Sequence, residues 1–146
     1  MAKLETNGIA ELCLDLMELG DSAGELMEDM LEAEAKVVQE AQQRTARSMG
    51  VYDSSGRNVG GHVADSIKVS KTYKSADGAV QYVYPKGSRR RKNTTSSNSE
   101  IAFINEFGKQ GQAPRPFIRT ANETSAPAAV EAAEKVYDNF LKSRNL

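Results

Sequence analysis

The chain has 146 residues, 39% of them hydrophobic and 6% aromatic, with no Trp and a formal net charge of −1. That length suits one domain with a modest core, and the absence of any run of about eighteen apolar residues excludes a helical membrane span. The single cysteine, Cys13, excludes an internal disulfide, and the lone His62 has no Cys or second His with which to hold a metal.

The small net charge conceals a split. Residues 1–40 carry eleven Asp/Glu against two Lys/Arg, a balance of −9, whereas residues 41–120 carry fourteen Lys/Arg against five Asp/Glu, a balance of +9. Such a division suits either two solvated faces or attraction between the unlike ends of neighbouring subunits. The lean aromatic content adds to this, because a modest core leaves apolar surface to be buried against neighbours. The N-terminus lacks the apolar core of a signal peptide, and one cysteine fits a reducing cytosol.

The first forty-eight residues read as acidic helices. Ile9, Leu12, Cys13, Leu16 and Leu19 line one face of a first helix that Gly20 is expected to end, with Cys13 buried and inert. Ser22 and Glu25 match a capping box opening a second helix. Leu26, Met30, Ala33, Val37 and Ala41 form its apolar stripe, and Met27, Leu31 and Val38 form an adjacent one. That is wider than a single docking face requires.

The glycine-rich stretch from Met49 to Gly61 reads as a loop. Residues 62–85 predict a β-hairpin, in which Ser66 to Tyr73 alternates apolar with polar, Ala76-Asp77-Gly78 turns, and Ala79 to Tyr84 returns before Pro85. Residues 86–99 contain no apolar side chain and surround the run Arg89, Arg90, Arg91 and Lys92, which predicts a flexible basic loop. Residues 100–146 begin with a short helix, capped by Ser99 and closed by Gly108 in the left-handed conformation. A Pro-containing link follows, then a C-terminal helix with Val130, Ala133, Tyr137 and Phe140/Leu141 on its inner face. Pro127 must begin or kink a helix. The whole predicts a single α+β domain over residues 1–146: N-terminal helices, a small antiparallel sheet and a C-terminal helix packed on it.

No catalytic constellation is legible. A Walker loop, GxSxG, paired cysteines and His-based metal spacing are all missing, and Gly56 to Gly61 lacks the strand-to-helix setting of a dinucleotide loop. The expectation is no enzyme, no metal and no cofactor. Arg89 to Lys92 are either solvated surface or contacts to a nucleic-acid backbone. With no interleaved aromatic and no helix-turn-helix, any such contact is blind to sequence.

Residues 101–121 carry the most specific pattern: Ile-Ala-Phe-Ile-Asn-Glu-Phe-Gly, a polar link, then Ala-Pro-Arg-Pro-Phe-Ile-Arg-Thr-Ala. This resembles the neck and tail-completion proteins of long-tailed phages, a group that includes tail-component and minor tail protein Z-like members. Glu106, Phe107, Gly108, Pro116, Phe117, Ile118, Arg119 and Ala121 stand at matching positions, and Thr120 replaces a second Pro of the family pattern. The resemblance brings no catalytic residue. Phe107 and Phe117 are expected to bury together as the core anchor, with Gly108 permitting the sharp exit and Pro116 fixing φ at the start of the last helix.

The resemblance implies a structural subunit of a phage or prophage virion. Its expected partners are further copies of itself in a ring, taken as six-fold, the adjacent head-closure and tail-terminator or tail-tube proteins, and genomic DNA crossing the channel. Its expected place is the virion neck or tail, and the host cytoplasm during assembly. The competing reading from composition alone is a free-standing, sequence-nonspecific nucleic-acid-binding or regulatory protein.

Overall fold

The computed structural model describes residues 7–51, 63–76, 78–91 and 93–145, with backbone alone for residues 7–16 and for Arg91. The expected burial of Cys13, the turn at His62, the stretch Gly56 to Gly61 and the position of Lys92 therefore lie outside the described residues.

One helix, α1, runs from Asn7 to Ser48. At 1.5 Å per residue its 42 residues span about 63 Å. The expected break at Gly20 and capping box at Ser22 are not there. The Ser22 hydroxyl instead donates to the Glu18 carbonyl one turn back, at 2.9 Å, the habit of a serine in mid-helix. Gly20 and Gly24 each cost a helix about 1 kcal/mol, and tertiary contact overrides that cost. Arg144 donates to the Ser22 hydroxyl at 2.6 Å and pairs with the Glu18 carboxylate at 3.0 Å, so the far end of the chain docks where the break was expected.

The last helix, α4 (Phe117–Ser143), returns antiparallel along α1. Gln42 ties to Asn122 at one end of the pair and Glu18 to Arg144 at the other. Phe117, Ala121, Ser125, Ala129 and Ala133 form its buried stripe at a strict spacing of four. The facing positions on α1 are Ala35, Ala41, Gln42 and Ala46. Small residues on both sides let the two backbones approach closely. The expected inner face of α4 is thus partly wrong, because Ala133 is buried whereas Val130 and Tyr137 are exposed. The helix continues through Pro127 at its solvent side, where the carbonyl freed by the missing N–H can bond water.

Among the described residues between the helices lie the one-turn α2 (Val63–Ser66) and six short strands. β1 (Ile67–Val69) pairs antiparallel with β4 (Val83–Pro85), and β2 (Tyr73–Ser75) pairs with β3 (Gly78–Val80). The predicted hairpin is therefore present but interrupted. Three residues, Ser70 to Thr72, lie opposite two, Gln81 and Tyr82, and the extra residue shifts the register by one, as a bulge does. The Ser70 hydroxyl accepts the Tyr82 N–H at 2.9 Å and helps close the gap. Gly78 takes φ +144 after the turn, where a side chain would be strained.

A second hairpin, β5 (Ser88–Arg91) with β6 (Thr94–Ser97), corrects the expectation of a loop over residues 86–99. Composition hides it because its strands bury almost nothing; backbone pairing and a pinned base hold it instead. The Asn98 N–H donates to the Gly87 carbonyl at 2.9 Å and its side-chain amide to the Lys86 carbonyl at 2.8 Å. The element order ends with α3 (Asn98–Phe107) and α4, an α+β architecture. Its core gathers Ala46, Val51, Val63, Ala64, Ile67, Ala102 and Phe117.

Candidate functional site

The signature segment opens at Ser97, whose hydroxyl accepts the Glu100 N–H at 3.0 Å and caps α3. Ser99, the expected cap, donates instead to the Pro85 carbonyl at 2.7 Å and ties the helix to β4. The faces of α3 run against expectation. Asn98, Ala102, Asn105 and Glu106 are buried, whereas Phe103 is 63% exposed and Phe107 56% exposed. The two rings pack against each other with centroids 4.7 Å apart and their planes tilted by 46°. Phe117 is the core anchor by itself; Phe107 is not part of it.

Gly108 closes α3 with φ +78 and ψ 177, an extended positive-φ conformation rather than the expected left-handed helical one, and its N–H donates to the Ile104 carbonyl at 2.8 Å. A Cβ there would stand 2.8 Å from the Gln112 carbonyl and 3.0 Å from the Pro114 nitrogen. The link is then folded back on the core. The Arg115 N–H donates to the Asn105 carbonyl, and its guanidinium reaches the Gly50 carbonyl at 2.7 Å.

Glu106 has a function that its place in the pattern does not reveal. Pro116 stands at the N-cap of α4 with φ −76 and offers no capping side chain. The Glu106 carboxylate supplies the cap from α3, accepting the N–H of Ile118 at 2.9 Å and of Arg119 at 3.0 Å. No acidic residue lies in the first turn of α4, so Glu106 also provides the negative charge that a helix N-terminus favours. The signature thus encodes one joint: Gly108 turns the chain, Pro116 sets φ, Phe117 fills the core, and Glu106 caps Ile118 and Arg119.

Of the basic run, Arg89 is half-buried and Arg90 exposed on β5, and the backbone of Arg91 pairs with Thr94 beside the turn. The hairpin adjoins α3 through β6. Midway along α1, that helix and α4 leave a groove lined by Leu26, Met27, Met30, Leu31 and Tyr137. Among the described residues there is no cluster of His, Cys, Asp and Glu suited to a metal, and no helix long and apolar enough to cross a membrane.

Residues 10–108, 99 of the 146, match the family model described as "Bacteriophage HK97-gp10, putative tail-component". The match ends at Gly108, so Pro116 to Arg119 lie beyond it. Neither curated proteins nor solved structures give a match.

Proposed function

The chain belongs to the phage HK97-gp10-like tail-component family, and from that premise we propose that it is a non-enzymatic structural subunit of the neck or top of the tail. Copies of it assemble into a ring, six-fold by our reading, that completes the tail and joins it to the head. Its neighbours are head-closure and tail-terminator or tail-tube proteins, and assembly takes place in the host cytoplasm. Genomic DNA passes through the ring.

The family match carries this reading. Two features support it. The small residues between α1 and α4 make a long, stiff two-helix arm that a lone subunit leaves partly uncovered. The β5–β6 hairpin offers cations without an aromatic among them, which suits passing contact with phosphates, either of DNA in the bore or beside an adjoining ring.

Deleting the gene from the phage or prophage that encodes it is the test. The expected result is DNA-filled heads and unjoined tails, with intact virions restored by expression in trans. Normal virions from the deletion strain would overturn the reading.

A further inference from the structure

The interrupted hairpin of β1 to β4 has two unlike faces. Ile67, Val83 and Pro85 turn inward, whereas Lys68, Lys71, Tyr73, Val80, Tyr82 and Tyr84 are exposed. Lys68 stands opposite Tyr84, and Tyr73 opposite Val80, so each pair shares a face. Val80, Tyr82 and Tyr84 recur at the spacing of two that keeps side chains on one side of a strand. The extra residue between Ser70 and Thr72 brings the other strand into agreement. Across it the outward positions pass from even, Lys68, to odd, Lys71 and Tyr73, so the bulge re-aims Tyr73 toward solvent.

Three of the five tyrosines of the chain therefore lie on one solvent-facing ribbon, Tyr73 49%, Tyr82 57% and Tyr84 39% exposed. An exposed aromatic cluster of this kind marks a contact surface. The Tyr73 and Tyr82 rings pack with centroids 5.8 Å apart and planes tilted by 58°, and Lys71 Nζ stands 5.4 Å from the Tyr73 centroid. The charge around them is positive. Residues 67–86 carry four Lys against one Asp. Lys74 is engaged by Glu28 of α1, and Glu32 and Lys36 lie across a cleft from Lys71 and offset each other. Among the described residues Lys68 and Lys71 make no ion pair.

We propose that this face binds single-stranded nucleic acid, with Tyr73, Tyr82 and Tyr84 stacking on bases and Lys68 and Lys71 meeting phosphates. A single strand offers what the ribbon is built to take: each base has a π-face free to stack, and each link carries a charge. The contact is blind to sequence, because no described side chain on the ribbon is placed to read a base edge. A duplex keeps its bases stacked on one another and presents phosphates and groove edges, so the tyrosines gain little from it. A protein partner is the poorer fit, because protein interfaces are enriched in Tyr but depleted in Lys. One chain carries the whole face, so the proposal does not depend on the ring.

The test is fluorescence anisotropy of the full chain with a labelled oligothymidine of about 20 nucleotides, longer than the roughly 4–16 that one stacking platform covers, and with a duplex of the same length. The wild type is expected to bind the single strand at least about tenfold more tightly than the duplex. With no Trp in the chain, its intrinsic fluorescence is that of tyrosine, and stacking is expected to quench it. Tyr82→Thr/Tyr84→Thr keeps residues that suit a strand, and circular dichroism establishes that it folds. It is expected to lose about tenfold or more in single-strand affinity with duplex affinity unchanged, whereas Tyr82→Phe/Tyr84→Phe, which keeps both rings, is expected to bind as wild type does. Lys68→Gln/Lys71→Gln leaves the rings in place and is expected to flatten the slope of log K against log salt by about 1.4, or about 0.7 for each phosphate released. Equal affinity for single strand and duplex would overturn the proposal, as would a Thr variant that binds like wild type or a Lys variant with an unchanged slope. A face that captures another virion protein and ignores the single strand would overturn it too. None of these results bears on the deletion phenotype, which tests the virion role separately.

Discussion

The Glu106 carboxylate accepts the backbone N–H of Ile118 across a twelve-residue separation, at 2.9 Å, and so caps a helix that carries no capping side chain of its own. Removing that carboxylate leaves the first turn of α4 without a buried acceptor. Glu106→Ala is expected to cost about 1–3 kcal/mol. Glu106→Gln, which keeps one acceptor oxygen and loses the charge, is expected to cost less. Denaturant unfolding of both variants checks the order, and equal losses would contradict the capping role.

Phe117 and Phe107 separate core from surface within one signature. Phe117→Ala empties a fully buried site among Ala46, Val63 and Ile67 and is expected to destabilise by about 3–5 kcal/mol. Phe107→Ala trims an exposed ring and is expected to stay within about 1 kcal/mol of wild type. Thermal unfolding distinguishes them, and comparable losses would show that the two rings are buried together.

Gly108→Ala meets both a positive-φ backbone, φ +78 with ψ 177, and a carbonyl 2.8 Å from the new Cβ. The neighbour is backbone and cannot swing aside. A loss of about 1–3 kcal/mol in unfolding free energy is expected, whereas Gly20→Ala, with open space around it, is expected to stabilise α1 by up to about 1 kcal/mol.

The hairpin variant Arg90→Gln/Arg91→Gln/Lys92→Gln spares the half-buried Arg89 and the backbone ladder. The fold is expected to hold. Affinity for duplex DNA is expected to fall, and the slope of log K against log salt to flatten by about 0.9 for each phosphate that is no longer neutralised. An unchanged slope in electrophoretic shift assays would remove these cations from any role in holding DNA.

Backbone chemistry is the most legible part of this sequence. Gly108 and Pro116 announce a sharp exit and a helix start because glycine alone takes positive φ freely and proline fixes φ, and the alternation from Ser66 to Tyr84 announces a hairpin. Tertiary decisions are not legible. Gly20 and Ser22 read as a break because local propensity opposes helix there, yet Arg144 arrives from 122 positions away to bind Ser22. The β5–β6 hairpin is hidden because Ser, Thr and Arg carry no burial signal, and its ladder and the Asn98 anchor leave none. Phe107 misleads for a related reason: spacing puts Phe103 and Phe107 on one face without saying which way that face turns. The capping by Glu106 has a faint signal, a helix that opens with Pro116-Phe117 and lacks its own acidic residue in the first turn.

A cryo-EM reconstruction of the virion neck and upper tail is the most direct test of ring assembly. The expected map shows this chain as a closed ring around the DNA path. Finding the chain absent from the particle, or present there as isolated copies outside any ring, would contradict it.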